Sequence, residues 1–324
     1  MFLLTKKTPL EENILSFVLG MIAADAAVVY YKQNENTLLL QRLSYTMIDT
    51  QKNQIFTQWS GSSIIALCAM EAFVAYKQTY EPIEYLFSRF WDNINRASKN
   101  QFLDLKLNLS VESPVFYVAP SLEKGQITTI NLKNKEPSFQ SSCLFLAFPI
   151  AMCVIHMTLI ERFAFTKKFT AIYHNTPISC YATFLLVETI LELMKEDNII
   201  FSFSRAVNSL TTIFQLGNDF SCAFHFSKLS DPLFFQIDST TLRLTPDAVD
   251  TLEVLLWSLM NTPNYATAVL TIIALGGDSN SAATLTGGLA TLLYKNKSIP
   301  PRWIKHIDQV KPISKLATQF YRSL

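Results

Sequence analysis

Apolar residues recur along the first part of the chain at helical spacing, and this pattern predicts a succession of helices. Residues 12–31 are mostly apolar and rich in alanine, which is typical of a buried helix. Residues 35–48 have the pattern of an amphipathic helix. The spacing over residues 64–78 predicts another helix, which Ser62 or Ser63 would cap. The buried side of that helix is predicted to carry Ile64, Leu67, Cys68 and Phe73.

The second half of the chain continues the helical pattern. Residues 178–197 predict an amphipathic helix that ends in charged residues, and residues 202–216 predict the next one. At Thr245-Pro246-Asp247 a further helix is expected to begin, with the threonine as N-cap and the proline at the first helical position. The aspartate then adds negative charge to the first turn of that helix.

Proline and glycine mark the remaining boundaries. The predicted elements are a helix from 246 to about 261, a helix from Pro263 to Leu275 that Gly276-Gly277 stop, a helix over 280–295, and a segment at 299–303 that ends the core. Residues 104–140 depart from this pattern, since they are polar and alternate in places, and we expect a loop-rich insertion or lid with short strands. The whole chain, residues 1–324, is therefore predicted to be one all-α domain with one core.

Composition argues against one class of partner. Hydrophobic residues make up 49% and charged residues 16% of the chain, which is enough for a large buried core. The formal net charge is +1, and no cluster of Lys and Arg alternates with aromatic residues. A protein that binds nucleic acid usually carries such a basic surface, so we expect no nucleic-acid partner.

No sequence feature predicts a membrane or an oxidising compartment. The apolar run over 143–160 approaches the length of a spanning segment, but it contains Pro149 and His156, and a buried core helix is the better interpretation. The N-terminus lacks the long apolar region of a secretory signal. The five cysteines form no C-x-x-C pair and the four histidines have no zinc spacing. We therefore expect reduced thiols in a cytoplasmic protein.

The stretch LGGDSNSAATLTGGLATLLY at 275–294 has the features of a chemical site. Gly276 and Gly277 form a tight turn, and Asp278 follows at once before a helix of small residues. A turn that presents a carboxylate beside a helix N-terminus is a suitable place for a metal ion. A second carboxylate two residues later would share that ion, but Asn280 occupies the position.

Three stretches, in the expected order, resemble the ADP-ribosylglycohydrolases, the family that includes dinitrogenase-reductase-activating glycohydrolase. The first stretch is continuous from about 246 to 306. In it, GGDSNS stands where that family has GG-D-T-D-T, and an "IP..W" segment follows. LGMIAADAAVVYYK at 19–32 is similar to its G-x-x-x-G-D-A-x-G helix, with Gly20 and Asp25 retained, and WSGSS at 59–63 is similar to its W-T-D-D-T segment. The resemblance implies a single compact orthogonal helical domain. It also implies cleavage of ADP-ribose from a protein side chain or a small acceptor with two Mg²⁺ ions, or Mn²⁺ in some members.

The chain departs from the family pattern at the metal ligands. The resemblance implies Thr-Asp-Asp in the W-T-D-D-T segment and Asp, Asp and Thr in the GG-D-T-D-T segment. In many members a Glu also stands seven residues after the Asp of the G-x-x-x-G-D-A-x-G helix. The residues at these positions are Ser60, Gly61 and Ser62, then Asp278, Asn280 and Ser281, and finally Lys32. One carboxylate thus remains where the two metal segments would supply four. Because Mg²⁺ requires anionic oxygen, we expect that no metal pair binds and that the two-metal mechanism is lost.

Three hypotheses follow from this pattern. The first is a catalytically inactive family member that acts as a binding or regulatory protein and holds ADP-ribose or a protein partner in the old cleft. The second is an active hydrolase with an altered site, which uses one Mg²⁺ or Mn²⁺ ion, or no metal. The third is a helical scaffold without a ligand. The catalytic candidates are Asp278, Asp25 and Lys32.

Two of these candidates have a second interpretation. Lys32 would either pair with Asp278 in place of the metal or extend into solvent from the end of its helix. Asp25 and Asp278 are the carboxyl pair that a glycoside hydrolase without metal would need. Asp25 lies inside an alanine-rich helix, however, and the preferred interpretation is a structural hydrogen bond to a helix N-terminus.

Overall fold

The computed structural model of the chain describes residues 7–33, 59–79, 81–103, 137–295 and 298–324. Within these residues the regular structure is helical, and it forms one core, as predicted. The helices are α1 (Pro9–Gln33), α2 (Ile64–Lys77), α3 (Ile83–Ser98), a 3-10 helix (Pro137–Leu146), α4 (Ala147–Val154), α5 (Leu159–Tyr173), α6 (Pro177–Leu193), α7 (Ile199–Gly217), α8 (Phe220–Ala223), three short 3-10 turns (Phe224–Phe226, Phe234–Gln236, Ser239–Thr241), α9 (Ala248–Asn261), α10 (Tyr265–Leu275), α11 (Asn280–Leu293), α12 (Pro301–Lys305) and α13 (Val310–Ser323).

Helices α1 and α11 form the centre of the core, and glycines let them approach closely. A Cβ on Gly287 would lie 2.4 Å from the Cβ of Ala24, so no larger residue fits there. A Cβ on Gly20 would lie 2.6 Å from the Cγ2 of Thr291, and the hydroxyl of Tyr265 donates a hydrogen bond of 2.7 Å to the Gly20 carbonyl. Because Gly20 faces Thr291 and Ala24 faces Gly287, the two helices run antiparallel. The C-terminal end of α1 therefore lies beside the N-terminal end of α11.

Three predicted elements differ from the structure in detail. Helix α9 begins at Ala248 and not at Pro246, because Asp247 is the N-cap and accepts hydrogen bonds from the N–H groups of Val249 and Asp250. Helix α10 begins at Tyr265, since Asn264 caps it. The predicted amphipathic helix over 178–197 is α6, which is buried on nearly every side because helices pack around it.

The core extends beyond the expected end at 299–303. Helix α13 packs against α1 and α2 and buries Ile313, Leu316 and Phe320. The apolar run over 143–160 is not one helix. It comprises the end of the 3-10 helix, all of α4 and the first residues of α5. All five cysteines are free thiols in the structure, and Cys153 and Cys222 are only partly buried.

Among the described residues, one helix is long and apolar enough to cross a membrane by length and composition. This helix spans residues 9–32 and corresponds to α1, and 72% of its most apolar window is buried inside the protein. Such burial is what the central helix of a globular core requires. The predicted helix at 35–48 lies outside the described residues, and so do residues 104–136 of the predicted insertion.

Candidate functional site

The first part of the site is the Ser60 segment, which we define as residues 59–63. Its backbone turns at Gly61, where φ is +86°, and α2 begins directly after Ser63. Asp25 of α1 holds this turn, because its Oδ1 accepts hydrogen bonds from the N–H of Ser60 at 3.1 Å and from the hydroxyl of Ser60 at 2.6 Å. The Ser60 hydroxyl also lies 2.8 Å from the hydroxyl of Ser62.

Asp25 of α1 makes hydrogen bonds of the kind that its structural interpretation requires, and its catalytic role stays a prediction. Its side chain is completely buried, and its Oδ2 lacks a hydrogen bond of ordinary geometry. Burial raises the pKa of Asp25 to about 6, and the hydrogen bonds from Ser60 only partly oppose this rise. The carboxyl group therefore connects α1 to the N-terminus of α2 and is closed off from solvent.

The second part of the site is the Asp278 turn, which we define as residues 276–281. Gly276 and Gly277 have φ values of +80° and +60°, which explains the glycine pair. The N–H of Asp278 donates to the carbonyl of Leu244 at 3.2 Å, while the Asp278 side chain is exposed. Asn280 then begins α11, and its Oδ1 is buried without a hydrogen-bond partner.

Helix α1 brings both parts to the same region of the molecule. Asp25 binds the Ser60 segment, and its neighbour Ala24 contacts Gly287 of α11. Asn280 precedes Gly287 by seven residues, which is about 10 Å along the helix axis. The 3-10 helix also contacts the turn, because the hydroxyls of Ser141 and Ser281 lie 3.1 Å apart.

The structure does not bring Lys32 and Asp278 together. Lys32 lies in the last turn of α1 and is exposed, and it makes no ion pair with Asp278. The hypothesis that the Lys32 ammonium replaces the metal therefore stays a prediction without an ion pair behind it, and the alternative, in which Lys32 extends into solvent, fits its exposed position. Both residues are exposed, and an ion pair between exposed side chains contributes little to stability.

A cavity of about 690 Å³, which we call the side cavity, lies next to the Asp278 turn. The segment 244–246 separates the two, since Leu244 binds the turn while Thr245 and Pro246 line the cavity. Sequence reasoning did not find this cavity, because its walls come from distant parts of the chain. Its other lining residues are Ile178, Phe224, His225, Ser227, Lys228, Arg243, Asp247, Val249, Asp250 and Glu253.

Sequence and structure comparisons decide the family. A model of the ADP-ribosylglycohydrolase family matches residues 6–324. The chain belongs to the ADP-ribosylglycohydrolase family. Among solved structures, one described as an ADP-ribosylglycohydrolase-related protein complex matches 97% of this chain and 98% of its own, with a TM-score of 0.63 and 14% identity. Similarity at that level shows the ADP-ribosylglycohydrolase fold alone.

Two curated ADP-ribosylglycohydrolase relatives are similar over a shorter stretch. One is "ADP-ribosylarginine hydrolase Tri1" of Serratia proteamaculans (strain 568), which is 38% identical over 80 residues. The other has the same name, comes from Pseudomonas putida (strain GB-1) and is 35% identical over 80 residues. Each match covers 25% of this chain and 22% of the relative, so the chain spans about a fifth of the length of the relatives it matches.

The family-equivalent positions of this chain offer few anionic donors to a pair of divalent cations. Of the family-equivalent positions, only Asp278 carries a carboxylate, and the Ser60 hydroxyl donates a hydrogen bond to Asp25. Hydroxyl and amide oxygens ligate Mg²⁺ but do not neutralise its charge. In the part of the chain that the structure describes, no group of three or more His, Cys, Asp or Glu side chains is placed to hold a metal ion.

Proposed function

We propose that this chain is a non-hydrolysing member of its family that acts as a binding or regulatory protein. It holds an ADP-ribosylated protein side chain in the cleft between the Ser60 segment and the Asp278 turn. The observation that carries this proposal is the donor set, in which Asp278 alone retains a carboxylate among the family-equivalent ligand positions. The protein fold around these positions is intact, which supports binding without chemistry.

The physical reason is electrostatic. Two divalent cations in one catalytic site lie about 4 Å apart and repel each other strongly unless anionic ligands lie between and around them. Asp25 does not replace the missing carboxylates, because it is completely buried and its Oδ1 accepts both hydrogen bonds from Ser60. Asp278 is exposed, and it carries the one carboxylate among these family-equivalent positions.

A turnover assay tests the proposal directly. A peptide that carries ADP-ribosylated arginine is incubated with the protein and Mn²⁺ or Mg²⁺, and release of ADP-ribose is followed. We expect no release above the protein-free control, while ADP-ribose raises the melting temperature of the protein without added metal. Metal-dependent release by the unaltered protein would contradict the proposal. The variant Ser62→Asp/Asn280→Asp serves as the matched comparison, since it returns two carboxylates to the cleft.

A second candidate is an active hydrolase with an altered site that uses one metal ion or none. The observation that favours it is the similarity to two proteins named ADP-ribosylarginine hydrolase. In this case ADP-ribose release would depend on Asp278, and Asp278→Asn would abolish it. Absence of both turnover and any thermal shift with ADP-ribose would support the third hypothesis, a scaffold without this ligand.

A further inference from the structure

The side cavity has an excess of negative charge. Asp247, Asp250 and Glu253 all line it, whereas its permanent cations are Lys228 and Arg243. The ammonium of Lys228 lies 2.5 Å from the Glu253 carboxylate, so these two charges offset each other. Arg243 is exposed and forms no ion pair with a described residue. Two carboxylates therefore face one guanidinium, and a diphosphate would be repelled by them.

The two remaining carboxylates are held rigidly and each keeps a free oxygen. Asp247 uses Oδ1 to cap α9, with hydrogen bonds of 2.7 and 3.2 Å. Asp250 uses Oδ2 to accept the hydroxyl of Thr245 at 2.6 Å. Among the described residues nothing donates to the second oxygen of either carboxylate. Both groups are thus oriented acceptors that a cationic donor entering the cavity would satisfy.

An exposed aromatic ring at the rim is an independent observation. Phe224 lines the cavity although its side chain is 78% exposed. Its segment is fixed in place, because Tyr181 donates a hydrogen bond to Asp219 at the base and the Phe226 ring lies 5.8 Å from that of Phe214. An exposed aromatic ring beside a cavity, on a segment that is anchored on both sides, is a suitable contact surface for a ligand.

A planar cation matches both features. Guanidinium groups stack on aromatic faces and donate in-plane hydrogen bonds to carboxylates, whereas an ammonium offers no plane. Phe220 precedes Phe224 by four residues, lies on the same side of the helical turn and is 63% exposed. The apolar surface thus continues outside the cavity, which fits a side chain presented by a protein rather than a free small molecule.

We propose that the side cavity binds an unmodified arginine side chain of a protein partner. Its guanidinium would donate to Asp247 and Asp250 and stack on Phe224, and an apolar neighbour would cover Phe220. This inference rests on the proposed function in one respect. The protein partner that presents this arginine is taken to be the one whose ADP-ribosylated side chain lies at the Asp278 turn. Segment 244–246 places the two contacts side by side.

Calorimetric titration with short peptides tests the inference. The probe is acetyl-Leu-Arg-Leu amide, and its matched control replaces arginine by citrulline, which keeps the shape and removes the charge. We expect the arginine peptide to bind at least about tenfold more tightly, because charged hydrogen bonds are lost with citrulline. Equal affinity of the two peptides, or no binding of the arginine peptide, would overturn the inference.

Variants locate the bound peptide. Asp250→Asn keeps the acceptor for Thr245 but removes the charge, and Phe224→Ser removes the aromatic face from an exposed position. Each should weaken arginine-peptide binding by about tenfold without lowering the melting temperature. Glu84→Gln in the first turn of α3 and Phe201→Ser, an exposed aromatic elsewhere, are matched controls that should change nothing. Equal effects of the controls would refute this location.

ADP-ribose binding separates the two proposals. If ADP-ribose binds and Phe224→Ser or Asp250→Asn leaves its affinity unchanged, the cavity is reserved for the arginine, as inferred. If these variants weaken ADP-ribose binding and ADP-ribose displaces the peptide, the cavity holds the nucleotide and the inference fails while the proposed function stands. If only the arginine peptide binds, the proposed function fails and the cavity assignment stands.

Discussion

The buried carboxyl of Asp25 makes the stability of the protein depend on pH in an unusual direction. Its pKa is raised from the ordinary value of 3.8 to about 6 in the folded protein because burial disfavours the charged form. Between these two pH values the folded protein keeps a proton that the unfolded chain has lost. The contribution of Asp25 to stability is therefore largest below pH 4, falls as the pH rises towards 6, and stays constant above that.

The size of the effect follows from the same values. Each pKa unit corresponds to about 1.4 kcal/mol of folding free energy, so Asp25 accounts for a loss of roughly 3 kcal/mol between pH 4 and pH 7. Asp25→Asn removes this loss, because the amide does not ionise and its oxygen still accepts from Ser60. The free energy of unfolding of the variant, relative to the unaltered protein, should rise by about 3 kcal/mol over that range.

Urea unfolding at four pH values between 4 and 7.5 measures this difference. The comparison cancels every other titrating group, since both proteins contain them, and it also cancels any constant cost of burying the amide N–H₂ group. Glu84→Gln, which neutralises an exposed carboxylate in the first turn of α3, is the control and should show little pH dependence. If the difference between Asp25→Asn and the unaltered protein does not change with pH, the argument about burial is refuted.

Three further substitutions test the packing and the site. Gly287→Ala should destabilise the protein by about 1–3 kcal/mol in urea unfolding, because its Cβ would lie 2.4 Å from that of Ala24; an unchanged midpoint would contradict this packing. Arg162→Ala should lower the free energy of unfolding by about 3 kcal/mol, because the Glu188 carboxylate is only 2% exposed and would lose its two hydrogen bonds of 2.6 Å. A decrease of less than about 0.5 kcal/mol, as for a surface ion pair, would refute this. Gly61→Asp, which restores a family carboxylate, should cost about 1–2 kcal/mol in thermal unfolding because φ is +86° there, and a stable variant would mean that the turn adapts.

Local patterns in the sequence predicted the elements that short-range chemistry determines. The glycine pair at 276–277 ends α10 as expected, since both residues have positive φ. The hydrogen bonds of Asp25 were also predictable, because a carboxylate inside an apolar helix requires donors, and the segment before a helix N-terminus supplies them. The N-cap of α9 was placed two residues too early. Thr245 and Asp247 are both good N-cap residues. Asp247 is the N-cap in the structure, whereas the hydroxyl of Thr245 donates a hydrogen bond to Asp250.

Long-range packing was not predictable from local spacing. The sequence of α6 includes polar residues such as Glu188, which suggested an exposed face. Glu188 is nevertheless buried, because Arg162 of α5 forms an ion pair with it. The side cavity combines the start of α6, the segment after α7 and the start of α9, and no short motif joins them. Periodicity reports which face of a helix is apolar, but it does not report which helices surround that face.

The contacts that shape the site show how the ADP-ribosylglycohydrolase fold holds the Ser60 segment and the Asp278 turn without carboxylates at positions 61, 62 and 280. The positions of the Ser60 segment and the Asp278 turn depend on Asp25, on the close contact between α1 and α11, and on the hydrogen bond from Asp278 N–H to Leu244. None of these interactions uses the side chains at positions 61, 62 and 280, whereas the Ser60 hydroxyl does bind Asp25. Carboxylates introduced at positions 62 and 280 therefore test chemistry separately from the fold.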